Sequence, residues 1–217
     1  MKNAPTGEDI TQASAAPKRA WQRMLSGRRL DLLDPKPADI AIEDIAHGLA
    51  RVARWNGQTL GAHAFSVAQH ALLVDEIAGA RHPDWPARWR LATLLHDAPE
   101  YVIGDLISPF KTAVGLNYKA FELRLLAAIH ERFGLPAELP APIQAEIKAC
   151  DRLAAYYEAT RLAGFGADEA AAFFGKPGRV SPELAEAVED LHPLPADEAQ
   201  RAFLARFQWL VEAGSNL

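Results

Sequence analysis

Apolar side chains recur at helical spacing through the long segments of this chain, and no stretch shows the strong alternation of a half-buried strand. From Phe65 to Ala78, Val67, Ala71 and Val74 fall on one face. His70 shares that face, three residues after Val67 and four before Val74. Such a pattern, without internal repeats, predicts an all-α fold: a compact helical bundle of about six to eight helices.

Local signals divide the bundle. After the Pro-rich approach Asp34-Pro35-Lys36-Pro37, the spacing predicts a first helix over about 42–53 and a turn at Asn56-Gly57. A second helix is expected over about 65–78, and a third begins near Asp84 and Pro86. The third must kink or end by Pro99, which lacks an N–H and whose ring collides with the Leu95 carbonyl. His96 and Asp97 then fall in its last turn. Further helices are expected over about 117–133, up to about 162 after the Pro-rich stretch 136–142, and around 182–190 and 196–213. A Gly-rich loop ending in Gly175-Lys176-Pro177-Gly178 is expected before the last two, with Lys176 and Arg179 on a surface connection.

A chain of 217 residues can bury one large core. Residues 1–27 read as a flexible leader with room for a short helix, and 28–217 as one domain. Its site-bearing core is expected over about 40–162, with C-terminal helices over 181–213. The formal charge of −5 offers no basic stripe for extended nucleic acid, although a small phosphorylated ligand needs only a few local cations. Cys150 is the one cysteine, which excludes an intramolecular disulfide and suits a reducing compartment. No apolar run approaches the roughly 20 residues of a membrane span, and the N-terminus lacks the apolar segment of a secretory signal. The expectation is a cytoplasmic protein without membrane contact.

The chemistry lies in three inward-facing helical positions: His70, the pair His96-Asp97, and Asp151, which follows Ile147 and precedes Ala154 on a stripe. Two imidazoles and two carboxylates suit a divalent first-row cation with coordination positions left for water and substrate. Burying two carboxylates without a cation or hydrogen-bond donors would be costly. Singly, each residue has an ordinary reading: a packed core histidine, a chance His-Asp dipeptide, an aspartate paired with Arg152 or a nearby lysine. His63 competes with His70 as first ligand, but SVAQH places His70 on the inward stripe; His47 reads as packing near the site.

The order His70…His96-Asp97…Asp151 resembles the HD-domain metal-dependent phosphohydrolase superfamily. Arg54-Trp55, His96-Asp97-Ala98-Pro99-Glu100, Gly104-Asp105 and Ser108-Pro109-Phe110-Lys111 resemble its bacterial 5′-deoxynucleotidase branch. The run DLLDPKPADIAIEDIAHGLARVARWNGQT is similar to a related group of bacterial and phage HD proteins. The resemblance spans about 28–162. It departs from the deoxynucleotidase branch by one extra residue between Arg54-Trp55 and His70, which Gly57 and Gly61 can absorb.

The resemblance implies one divalent ion (manganese, cobalt, zinc, nickel, iron or magnesium) held by His70, His96, Asp97 and Asp151. It implies hydrolysis of a nucleotide phosphate ester by metal-activated water, with Glu100 and Asp105 as acid/base groups. Arg54 and Lys111 are implied as phosphate contacts and Trp55 as a wall of the sugar pocket. It further implies a small-molecule nucleotide as partner and a homodimer as assembly. The leading substrate is a 5′-deoxynucleoside monophosphate; the alternatives are a (deoxy)nucleoside triphosphate or a non-catalytic HD-fold regulatory protein. Between Asp97 and Asp151 the one further histidine is His130, which favours one metal over two.

Overall fold

A computed structural model describes residues 20–105, 117–178 and 180–215. The described residues are predominantly helical, as the spacing predicts. The helices are α1 (Ile42–Leu49), α2 (Val67–Arg81), α3 (Ala87–Leu94), α4 (Glu100–Ile103), α5 (Asn117–Arg132), α6 (Ala141–Arg161), α7 (Ala167–Phe174), α8 (Pro182–Glu189) and α9 (Ala196–Ser215). No helix among them is long and apolar enough to cross a membrane.

α2 is the central element because both of its sides are apolar. Val67, Ala68 and Ala71 enter one buried cluster with Ile45, Leu49, Leu94, Leu95 and Phe203. Val74, Ile77 and Ala78 enter a second with Cys150, Ala154, Leu184 and Val188. A helix buried on opposite sides must be sandwiched; α6 and α3 pack against α2, while α9 lies across α1, α2 and α3. His70 is thereby carried, fully buried, into the middle of the molecule.

Three local features differ from the expectation. A hairpin pairs β1 (Trp21–Arg23) with β2 (Arg29–Asp31), Trp21 opposite Asp31, and its first strand falls within the segment read as leader. Three-residue strands are too short to display alternation. What fixes them is Leu30 buried in the core, Arg29 over the Trp21 ring at 4.4 Å, and Ser26 bonded through N–H and hydroxyl to Asp44 at 2.9 and 2.6 Å. The second difference is α7, where a Gly-rich loop was expected. Its sequence ADEAAAFF combines strong helix formers with Asp168 and Glu169 in the first turn, where the helix dipole favours negative charge. The glycines that suggested a loop, Gly166 and Gly175, are its end signals. Third, α3 closes at Leu94, so His96 and Asp97 lie just beyond it, in the turn leading to Pro99.

Candidate metal centre

His70 is set one turn into α2. Ser66 caps that helix, its hydroxyl accepting from the Gln69 N–H at 3.3 Å. The chain just before Arg54 is clipped to the same helix start: the Arg54 N–H donates to the Phe65 carbonyl at 2.8 Å and the Val67 N–H to Val52 at 3.0 Å. His96 and Asp97 arrive from the turn after α3, and Asp151 from the middle of α6. One ligand atom from each of His70, His96, Asp97 and Asp151 lies within 4.8 Å of the others, so the four can hold a metal ion.

The imidazoles are oriented for that purpose. His96 Nδ1 lies 2.8 Å from the Thr93 carbonyl, which can only accept, so Nδ1 carries the proton and Nε2 keeps its lone pair. His70 Nδ1 lies 2.5 Å from Glu158 Oε1, the carboxylate–histidine pairing that fixes ligand tautomers in metal sites. Both Nε2 atoms are buried without a hydrogen-bond partner among the described residues. His70 Nε2 stands 3.4 Å from Asp97 Oδ2 and 3.3 Å from Asp151 Oδ1. Ligand atoms about 2.1 Å from one cation stand roughly 3.0–3.4 Å from one another, so this is the spacing of a coordination polyhedron's edges.

The electrostatics favour positive charge at this point. Burial and Arg54 push the His70 imidazole down, but Glu158, Asp151 and Asp97 outweigh them and hold it well above its ordinary value. Burial raises the Asp97 carboxyl, yet His96 and His70 hold it well below the carboxylate range. Asp151 is likewise lowered against burial by His70, and its second oxygen accepts from Lys148 at 2.5 Å. A cation at this point, proton or metal, satisfies both carboxylates and the imidazole together.

Glu158 is the residue that sequence reasoning missed. It is wholly buried and takes Arg54 Nε at 3.2 Å, Trp55 Nε1 at 2.9 Å and His70 Nδ1. Burial would raise its pKa, but Arg54 and His70 bring it down to about 2. A signal existed: Glu158 is seven residues after Asp151, two helical turns on, and continues the stripe through Ala154.

Arg54 joins the site through two carboxylates. Its guanidinium donates to Glu158 and, through Nη1 at 3.0 Å, to Asp105. Burial opposes its charge, but these neighbours raise its pKa beyond the ordinary arginine value. Asp105, expected as an acid/base group, thus lies beside the centre as Arg54's ion-pair partner. Glu100 is buried at the start of α4, rather than being a solvated helix-end charge. Trp55 and Asn56 both have left-handed backbone, φ 56° and 50°. Such positions cost on the order of 1–3 kcal/mol each and gather at functional sites. Gly61, with φ +112°, takes up the loop between this turn and α2. His63 is exposed and outside the cluster. Lys111 and the Ser108-Pro109-Phe110 run before it lie outside the described residues, as does Arg179.

No protein-family model matches the chain. The uncharacterized protein RCAP_rcc00048 of Rhodobacter capsulatus is 57% identical over 199 residues, 92% of this chain and 100% of that protein. The uncharacterized protein YfdR of Escherichia coli is 34% identical over 106 residues, 49% of this chain and 54% of its own length.

Proposed function

The chain belongs to the same family as RCAP_rcc00048 of Rhodobacter capsulatus, and from the site it builds we propose a divalent-metal-dependent phosphohydrolase of the HD superfamily. The substrate is a nucleotide, foremost a 5′-deoxynucleoside monophosphate. The observation that carries this reading is the pair of buried Nε2 atoms of His70 and His96, without a hydrogen-bond partner among the described residues, beside the Asp97 and Asp151 carboxylates. A mixed nitrogen and oxygen set of this kind suits manganese, iron, cobalt, nickel or zinc better than magnesium, which prefers all-oxygen surroundings. The chemistry such an ion supplies when bound is Lewis-acidic: a lowered water pKa and neutralised phosphoryl charge.

The chain's own residues supply the rest. Arg54, permanently charged and fixed from two sides by Glu158 and Asp105, presents its guanidinium to the phosphoryl oxygens. Asp105 holds Arg54, and Glu100, four residues after His96 and buried at the start of α4, takes the proton of the attacking water. The water oxygen bonds to phosphorus as the phosphorus–oxygen bond to the sugar breaks, and Glu100 returns its proton to the departing 5′ oxygen.

A metal-replete screen for released phosphate and pyrophosphate, across nucleoside mono- and triphosphates, tests the assignment. Phosphate from deoxynucleoside monophosphates is expected; turnover confined to triphosphates would move the reading to a triphosphohydrolase. Metal-loaded protein inert on both classes would sink the nucleotide assignment. Asp97→Ala is expected to lose bound metal and activity together. Glu100→Ala keeps the metal and loses about 10²–10⁴ in turnover; undiminished hydrolysis would remove Glu100 from the mechanism.

A further inference from the structure

The strained turn at Trp55 opens a question that the metal centre does not answer. Two successive non-glycine residues are kept in left-handed backbone, and the indole N–H is pinned to Glu158, the carboxylate that also holds His70. The Trp55 ring is then met by two phenylalanines from the segment after α6. Phe165 lies tilted, ring centres 5.6 Å apart, and Phe174, the last residue of α7, stands edge-on at 5.9 Å. Phe173 is beside both, 6.4 Å from Phe165 and 6.2 Å from Phe174, yet 69% of it is exposed.

Core aromatic clusters enclose their rings. This one runs from Trp55, one hydrogen bond away from a carboxylate that touches a metal-ligand histidine, outward to a phenylalanine in water. Gly175 ends α7 immediately after Phe174, φ +86°, so the two phenylalanines sit at a helix tip. Trp55 directly follows Arg54, so this run of rings begins beside the guanidinium assigned to the phosphate.

We propose that Trp55, Phe174 and Phe173 form a stacking surface for a planar heteroaromatic base. On this proposal, which rests on the phosphohydrolase reading of the adjacent centre, the substrate is a ring-bearing nucleotide, and a bare sugar phosphate is a poor one. Aromatic rings offer π-faces and no donor–acceptor code, and every base has a π-face, so the surface selects for a base while discriminating weakly among bases.

The test measures binding, which does not depend on turnover. Manganese-loaded protein carrying Glu100→Ala, so that ligand is not consumed, is titrated calorimetrically with dAMP, dCMP and 2-deoxyribose 5-phosphate. Both nucleotides are expected to bind about tenfold or more tighter than the sugar phosphate, and within about fivefold of each other. Adding Phe173→Ala should weaken dAMP at least fivefold more than the sugar phosphate, and Phe173→Trp should restore the preference. Equal affinity for dAMP and 2-deoxyribose 5-phosphate, or no dAMP binding, overturns the proposal. So does Phe173→Ala that changes the sedimentation behaviour but not dAMP affinity, because the exposed ring then serves a protein contact. Phosphate release by the wild type from 2-deoxyribose 5-phosphate is followed separately. Release without any base preference discards the stacking surface and keeps the phosphohydrolase; a Phe173-dependent base preference with no hydrolysis of any ester does the reverse.

Discussion

Two buried carboxylates, Asp75 on α2 and Glu158 on α6, are both wholly shielded from solvent and both held by cationic side chains, yet they end differently. Asp75 accepts from Arg90 Nε at 2.7 Å and from Arg206 Nε at 2.6 Å, while Arg90 also donates to the Asp75 carbonyl at 2.8 Å. That network closes on itself and staples α2 to α3 and α9. Glu158 accepts from Arg54, Trp55 and His70, and its network continues through the His70 ring to an Nε2 that faces the Asp97 and Asp151 carboxylates without a hydrogen-bond partner among the described residues. Buried charge alone therefore does not mark a functional site. The mark is a buried polar atom without a hydrogen-bond partner that also stands among other ligand atoms, as the His70 and His96 Nε2 atoms do beside Asp97 and Asp151.

Removing each carboxylate in turn separates the two networks most strongly. Asp75→Ala leaves two arginines without their partner and is expected to cost about 3 kcal/mol, the lower end for a broken buried pair because Arg206 reaches solvent. Urea denaturation reads the loss, and the fraction still folded should bind manganese as the wild type does. Glu158→Gln keeps the shape but removes the charge that fixes the His70 tautomer. It should weaken manganese affinity about 10–100-fold, read by competition with a chelator, with a smaller stability loss of about 1–3 kcal/mol. Equal loss of metal affinity in the two variants would erase the distinction between a staple and a site.

A smaller effect separates the two most buried histidines. His70 is surrounded by carboxylates that favour its charged form, whereas burial pushes the His130 imidazole below its ordinary 6.5. Folding thus disfavours the proton on His130, and the unfolded chain takes it up near pH 6.5. The His130 contribution to stability is complete above that pH and is lost as the pH falls through the depressed value. His130→Phe should accordingly lose less stability than the wild type between pH 7.5 and 5.5, compared through urea midpoints. Identical slopes would show that His130 is not the titrating group.

The parts of the site legible in the sequence are those whose signal is local. SVAQH on an apolar stripe placed His70 inward, Pro99 limited α3, and the candidate ligand atoms of His70, His96, Asp97 and Asp151 do converge within 4.8 Å. The missed parts depend on partners far along the chain. The stripe of α6 can place Glu158 inward, but its role appears only when Arg54 and Trp55, more than a hundred residues earlier, arrive to bond it. Likewise α7 was hidden because its two bounding glycines look like loop residues until the segment between them is seen as a helix against α6, with Ala170 buried.

Helical period and ligand chemistry are properties of short segments, so the all-α class and the set of groups able to bind a cation can be read along the chain. Only the tertiary structure decided which lone pairs remain open. An imidazole nitrogen or a carboxylate oxygen is available to a metal only after every neighbour that might have satisfied it has taken its place, and those neighbours come from helices that sequence distance keeps apart.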